Sequence, residues 1–356
     1  MSRYQFYLFM LCAVVSPALY LPRALLQARY DGAIASVGIA MLLGLVMSFL
    51  FKASLKPFRE LSLLEIMKRH VPRSVGLILY PVFGLIWFAA GASVLITICY
   101  VIKGFMNPNM DFLVLLLCFL AAICWASLRA SIAILYNLEL WLFIIIPIIM
   151  FIWLKATRNE TFSWDAVFTL SDYVLNAPSW SGIAAASFLF TGYISLSVCQ
   201  ATLQGDGIHR LWWVPVIGIV VFGAVVFIPL GIHGTQAVDK YIHIWVNTAD
   251  SIQFKYGIIE RGVFLLLFSY IIMSLLFAAT CWNVAAEWMS GVFQARPAQV
   301  KRILIGIAAS AVLAAGYYVN EKQLITLTHY WFSVRFAAEL LLVAVMVGIG
   351  RRGRNA

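Results

Sequence analysis

"VVSPALYLPRALLQARYDG" (residues 14–32) closes an apolar run and then places Pro17 and Pro22 five residues apart, with Arg23 directly behind the second. Each proline removes a backbone donor and crowds an earlier carbonyl, and in hydrocarbon no bulk water makes good the loss. A plain membrane anchor has no use for two such residues in one span. The stretch therefore predicts a first span interrupted near residues 16–20, with an outer half that carries Arg23 and Arg29 toward the far face.

Around this stretch the composition is that of a membrane protein. Hydrophobic residues fill 63% of the 356 positions and charged residues 11%. With a mean hydropathy of +0.93, a water-soluble globule with a polar shell is excluded. The long uninterrupted apolar runs suit helices of about 20 residues and not the alternating strands of about 10 residues found in barrels. No small-residue cleavage site follows the first run, so it is expected to remain a span and not to act as a signal peptide. The six cysteines (Cys12, Cys99, Cys118, Cys124, Cys199, Cys281) all fall in apolar segments without CxxC or histidine spacing. They are expected to be small core residues, and neither a metal nor a cofactor is expected.

Charge clusters and Pro, Gly and Asn breaks divide the chain into ten predicted spans. These are 4–29 (interrupted), 32–51, 75–102, 111–128, 131–154, 179–203 (interrupted), 212–233, 262–288, 301–319 and 326–349. Together they predict an all-α polytopic protein with one integral membrane domain. Of the 25 Lys and Arg, fifteen lie in segments on one side, nine on the other, and Arg335 sits inside a span. The richer side, which holds both termini, is expected to be cytoplasmic. A basic face opposite anionic lipid accounts for the net charge of +10 without any nucleic acid. Two connections are more than linkers. "RELSLLEIMKRHV" (59–71) is weakly amphipathic and predicts a short interfacial helix, and 234–261 predicts an external cap.

Span six repeats the peculiarity of span one. "FLFTGYISLSVCQATLQGDG" (188–207) sets Gly192 between Thr191 and Tyr193, followed by Ser195, Ser197, Gln200, Thr202 and Gln204. Taken alone, a glycine in a membrane helix lets a neighbour approach. Paired with span one it gains a second meaning, because the first and sixth of ten spans are equivalent positions of two five-helix halves, about 4–154 and 179–349. Interruption at both predicts an inverted repeat with a site at the midplane. The ends of half-helices suit a carboxylate on one side and an ammonium on the other, so an amino acid is a natural ligand. Candidate contacts are Ser16, Pro17, Ala18, Leu19 and Tyr20 at the first break and Phe190, Thr191, Gly192 and Tyr193 at the second. In the usual arrangement of such a fold, spans three and eight flank the cavity. They would offer Trp87 or Gly91 and Thr280, Cys281 or Trp282, although an aromatic in a span more often packs or anchors than binds.

Charges inside spans are costly and mark pathways or paired switches. Glu139 in span five, Glu287 near the cytoplasmic end of span eight, and Arg335 and Glu339 in span ten are candidates for coupling or conformational switching. Arg335 and Glu339 stand four apart on one helical face, so mutual neutralisation is the plainer reading of that pair. Glu287 is close enough to the interface to be a snorkelling surface carboxylate.

"LPRALLQARYDGAIASVGIAMLLGLVMSFLF" (21–51), with a proline ending the first span, the "ARYDG" stretch and a glycine-bearing second span, resembles the start of the spore germination permeases. These are the B subunits of bacterial germinant receptors. The basic loop "KPFRELSLLEIMKRHVPRSVG" (56–76), the glycine in span six and the short basic tail extend the likeness. Members commonly carry Trp after the Asp of that motif, where this chain has Gly32. The resemblance implies a LeuT-like 5+5 inverted repeat of the amino acid/polyamine/organocation superfamily. It also implies a place in the spore inner membrane, a small nutrient ligand that is often an amino acid, and two partners: a membrane A subunit and a lipoprotein C subunit. Three functions follow: a nutrient-sensing receptor subunit, a proton- or cation-coupled amino-acid transporter, or a structural subunit with a vestigial cavity. No nucleophile elbow, P-loop or His/carboxylate cluster points to an enzyme.

Overall fold

The computed structural model describes residues 3–58, 61–196, 212–254, 260–293 and 297–355. It is all-helical, and the described residues contain no strand beyond an isolated bridge between Gln253 and Arg261. In chain order the helices are α1 Arg3–Val15, α2 Leu21–Gln27, α3 Ala33–Leu55, α4 Leu63–His70, α5 Arg73–Phe105, α6 Phe112–Ser127, α7 Ser131–Thr157 and α8 Trp164–Phe168. There follow α9 Trp180–Thr191, α10 Tyr193–Leu196, α11 Trp213–Ala237, α12 Ile244–Asp250, α13 Gly262–Ser290, α14 Pro297–Tyr318 and α15 Glu321–Asn355.

Among the described residues seven helices (α3, α5, α7, α11, α13, α14, α15) are long and apolar enough to cross a membrane, and α1 with α2 makes an eighth if the bent pair is one span. The protein is therefore polytopic. The positions of predicted spans four and six hold helices of 16 and 12 residues. At 1.5 Å per residue these are shorter than the roughly 30 Å of hydrocarbon. The continuation of span six past Leu196, including Ser197, Gln200, Thr202 and Gln204, lies outside the described residues.

The first span is broken as its prolines predict. α1 gives way to a 3-10 turn over Ser16–Leu19, Tyr20 follows with a left-handed backbone (φ 56°, ψ 20°), and α2 leaves at 63° to the segment Arg3–Leu19. Both prolines sit at the start of a helical segment, where a missing N–H has no intrahelical partner to lose. Tyr20 is the one non-glycine residue with positive φ among those described, a conformation that costs an L-residue about 1–2 kcal/mol. Its N–H bonds to Pro17 O at 3.2 Å and its carbonyl accepts from Ala24 N at 3.0 Å.

The longest packing seam joins α5 to α13, with Gly91 seated against Trp282 and Gly84 against Met289. α3 lies along α9, where Phe190 is wedged between Gly44 of α3 and Gly218 of α11. α15 packs on α3, α5 and α9; α7 packs on α1, α11 and α13; α6 meets α14. Outside the bundle, the amphipathic segment forms α4, which buries Leu63, Ile66 and Met67 and exposes Lys68, Arg69 and His70. Ser62 and Glu65 cap it reciprocally, and the Ser62 N–H holds the Glu65 carboxyl below its ordinary range.

Gly32 has φ 76°, and a Cβ there would come within 2.2 Å of the Ala177 carbonyl oxygen. No side chain fits beside that strand of backbone. Gly32→Ala should therefore cost about 1–3 kcal/mol, read as a lower Tm of the purified protein in detergent. Gly38→Ala, where a Cβ meets nothing within 4 Å, should leave Tm unchanged or slightly raised.

Candidate functional site

The break in span one opens on a cleft between α2, α5, α13 and the cap. Pro17, Ala18, Tyr20, Pro22 and Arg23 form one wall, Thr97, Ile98 and Val101 of α5 a second, and Tyr270 of α13 a third. Residues 242–246, which include the start of α12, roof it. The cleft encloses about 350 Å³ when counted out to its mouth, but between the side chains there is room for no more than about one water.

Three side chains lining the cleft, Tyr20, Tyr270 and Arg23 at its Nε, carry a buried polar atom without a partner. Tyr20 and Tyr270 are 4% and 6% exposed, and the hydroxyls of both are buried with no hydrogen bond. A buried hydroxyl without a partner is unfavourable by about 1–3 kcal/mol, so the pair stands ready for a ligand group that can bond them. Thr97 Oγ1, beside them, donates to Ser93 O at 2.7 Å. Tyr20 also stacks on His243 from the roof, with ring centroids 5.7 Å apart.

The other predicted contacts are dispersed. Ser16 lines no part of this cleft and donates its hydroxyl to Ala13 O at 2.7 Å. Leu19 faces a neighbouring crevice with Ile325, Thr328 and Phe332 of α15. Phe190 fills the gap between Gly44 and Gly218. Gly192 keeps helical dihedrals (φ −53°, ψ −25°) and an N–H bond of 3.3 Å to Phe188 O, so the junction of α9 and α10 is shallow beside the bend at Tyr20. Tyr193 donates to Ser48 Oγ at 2.6 Å and meets Phe9 edge-on. Trp87 is fully buried against Trp331, its indole N–H unpartnered. Thr280 lines a separate crevice with Leu8, Ser131, Leu196 and Asn283.

The charged candidates also separate. Glu139, half-buried, accepts from Tyr7 Oη at 2.8 Å near the start of α1. Glu287 pairs with Lys301 at 3.1 Å on the rim of an open cleft with Lys68 and Arg73, consistent with a carboxylate at the interface. Arg335 and Glu339 are 0% and 1% exposed and pair at 2.6 Å. Their partners come from span six. Glu339 Oε2 lies 2.6 Å from Thr191 Oγ1 and Oε1 3.2 Å from Ser195 Oγ, while Arg335 Nη2 donates to Ala184 O at 3.0 Å and Ser187 Oγ at 2.6 Å. Ser187, Thr191 and Ser195 recur every four residues and so share one helical face. That period was readable in the sequence, as were Thr97 and Tyr270 as polar positions within largely apolar runs. Their convergence with His243 was not.

The broken, proline-bearing first span and the polytopic helical bundle accompany a sequence match over residues 2–322 to the family described as Spore germination protein. The chain belongs to that family. No curated protein matches it. In this spore germination protein the buried Arg335/Glu339 pair pins span six to α15, and removing one partner strands the other charge in an apolar core. Arg335→Met or Glu339→Leu alone should cost about 3–5 kcal/mol, whereas the double variant should recover most of the wild-type Tm in detergent.

Proposed function

We propose that this protein is the nutrient-sensing membrane subunit of a spore germination receptor, and that it binds a small molecule, an amino acid by preference, at the break in span one. The observation that carries this reading is the cleft at residues 17–23, with the unpartnered hydroxyls of Tyr20 and Tyr270 in a mainly apolar lining that also holds Arg23, Thr97 and His243. Hydroxyls can accept from an ammonium or donate to a carboxylate. Ile98, Val101 and Ile244 suit a short aliphatic side chain. Ligand binding would favour one conformation over another, and partners would read that shift. In this reading the chain sits in the spore inner membrane with both termini in the cytoplasm, beside a membrane A subunit and a lipoprotein C subunit, and performs no catalytic step.

The reading includes a ten-segment, LeuT-like inverted repeat of the amino acid/polyamine/organocation superfamily. The helix pairings support it. Number the segments α1/α2, α3, α5, α6, α7, α9/α10, α11, α13, α14 and α15, and exchange each with the one five places away. The partners of α15, namely α3, α9 and α5, then become α11, α1 and α13, which are the partners of α7. The α5/α13, α6/α14 and α1/α9 contacts map onto themselves. A two-fold relation between halves has this signature.

Tyr20→Phe and Tyr270→Phe each delete one hydroxyl with little change of shape. Each should raise the amino-acid concentration needed for half-maximal germination by about tenfold, the size of one lost hydrogen bond to a charged group. Spores carrying both changes that respond as wild type would remove the cleft as the ligand site. Vesicles holding the chain alone should show no accumulation of labelled amino acids. Robust uptake would instead make it a transporter in its own right.

A further inference from the structure

We propose that the open cleft between α4, the start of α5 and the end of α13 is a binding site for one anionic phospholipid, with its phosphate between Lys68 and Arg73 and an acyl chain along α5. The cleft holds about 660 Å³, a volume usual for small-molecule sites. Its three walls converge at Gly291, where a Cβ would stand 3.0 Å from Leu64 of α4 and 3.1 Å from Tyr80 of α5. It is separate from the cleft at the first break. Tyr80 lines one and Thr97 the other, 17 residues and about 26 Å of helix apart, so neither site depends on the other.

Charge selects the headgroup. Glu65, Lys68, Arg73 and Glu287 line the cleft, and both carboxylates are already engaged. Glu65 accepts from the Ser62 N–H at 2.7 Å and hydroxyl at 2.9 Å, and Glu287 pairs with Lys301 at 3.1 Å. Lys68 and Arg73 are exposed and have no ion-pair partner among the described residues. With Lys301 included, three cations face two carboxylates, and the surplus of one matches the single charge of a phosphodiester. Arginine takes phosphate oxygens with its planar fork and lysine as a point charge.

The apolar part of the lining selects a lipid over a soluble phosphate. Leu64, Leu77, Val292 and Phe293 share the cleft with the two cations. From Leu77 the wall runs on as Ile78, Val82 and Leu85, all exposed and, at i, i+4 and i+7, on one helical face. Arg73 to Leu85 is 12 residues, about 18 Å of helix, comparable to one leaflet's share of the roughly 30 Å of hydrocarbon. A headgroup held at Arg73 therefore has a path for its chain that leads straight into the bilayer. The amphipathic α4, with its apolar side buried and Lys68 outward, lies at the depth where headgroups are found.

The test titrates the full chain in detergent with phosphatidylglycerol, with phosphatidylcholine of the same acyl chains, and with inorganic phosphate, and counts retained molecules by native mass spectrometry. The wild type should retain one phosphatidylglycerol at about tenfold lower concentration than phosphatidylcholine. Lys68→Gln with Arg73→Gln should erase that preference, whereas Lys68→Arg with Arg73→Lys, which keeps both charges, should preserve most of it. Arg351→Gln with Arg352→Gln is the control. It removes two cations near the end of α15 that line no part of the cleft, and it should bind as the wild type does. An undiminished preference in the Gln pair, or an equal loss in the control, overturns the site. Displacement of the lipid by inorganic phosphate at matching concentration overturns the choice of a lipid and assigns the cleft to a soluble anion.

Discussion

Lipid offers no hydrogen-bond partner to a broken helix, so each donor and acceptor freed at residues 16–20 needs one from the protein or from water the protein holds. The rest of the molecule is arranged around that constraint. The 3-10 turn recovers backbone bonds, Ser16 bonds back to Ala13, and the left-handed Tyr20 closes the turn on Pro17 O. The sequence suggests that the break offers backbone groups to a ligand. Beside it, the buried side-chain hydroxyls of Tyr20 and Tyr270 are also without a partner.

A second polar investment lies deeper. Burying an arginine and a glutamate takes each ion out of water at a penalty of several kcal/mol, and apolar residues would pack the same volume at less expense. The pair is fully coordinated on its carboxylate side by Thr191 and Ser195 and reaches Ala184 and Ser187 through the guanidinium. Such a network fixes register. If α9 slid by one turn along α15, each hydroxyl of the Ser187, Thr191, Ser195 stripe would face the wrong atom. Register-fixing of this kind matters most where the helix itself is weak, and the N–H bond of Gly192 to Phe188 O, at 3.3 Å, lies inside the stripe.

The features legible in the sequence were those whose cause is local. Two prolines at the start of helical segments break span one whatever surrounds them. The capped α4 was visible in its own apolar spacing, and the i, i+4 placement of Arg335 and Glu339 announced their pairing. Gly192 shows the limit of such reading. A glycine marks either a backbone that bends or a neighbour that presses close, and here a Cβ would meet Phe188 O at 2.8 Å while the dihedrals stay helical. Gly32 is the opposite case, with a left-handed φ and a carbonyl pressed against it. Nothing within a few residues of either glycine distinguishes the two. The cleft was illegible for the same reason: Thr97, His243 and Tyr270 meet only after α5, the cap and α13 have packed around the bend.

The cleft and the buried pair are joined by α15. Its first residue, Glu321, touches the roof of the cleft through His243. Ile325, Thr328 and Phe332 then share a crevice with Leu19 and Tyr20, and Trp331 meets Trp87. One turn on come Arg335 and Glu339, holding span six. From Glu321 to Arg335 is 14 residues, about 21 Å of continuous helix. The helix that borders the cleft is thus the same one that sets the register of α9, so the two polar features of the molecule lie on one continuous element.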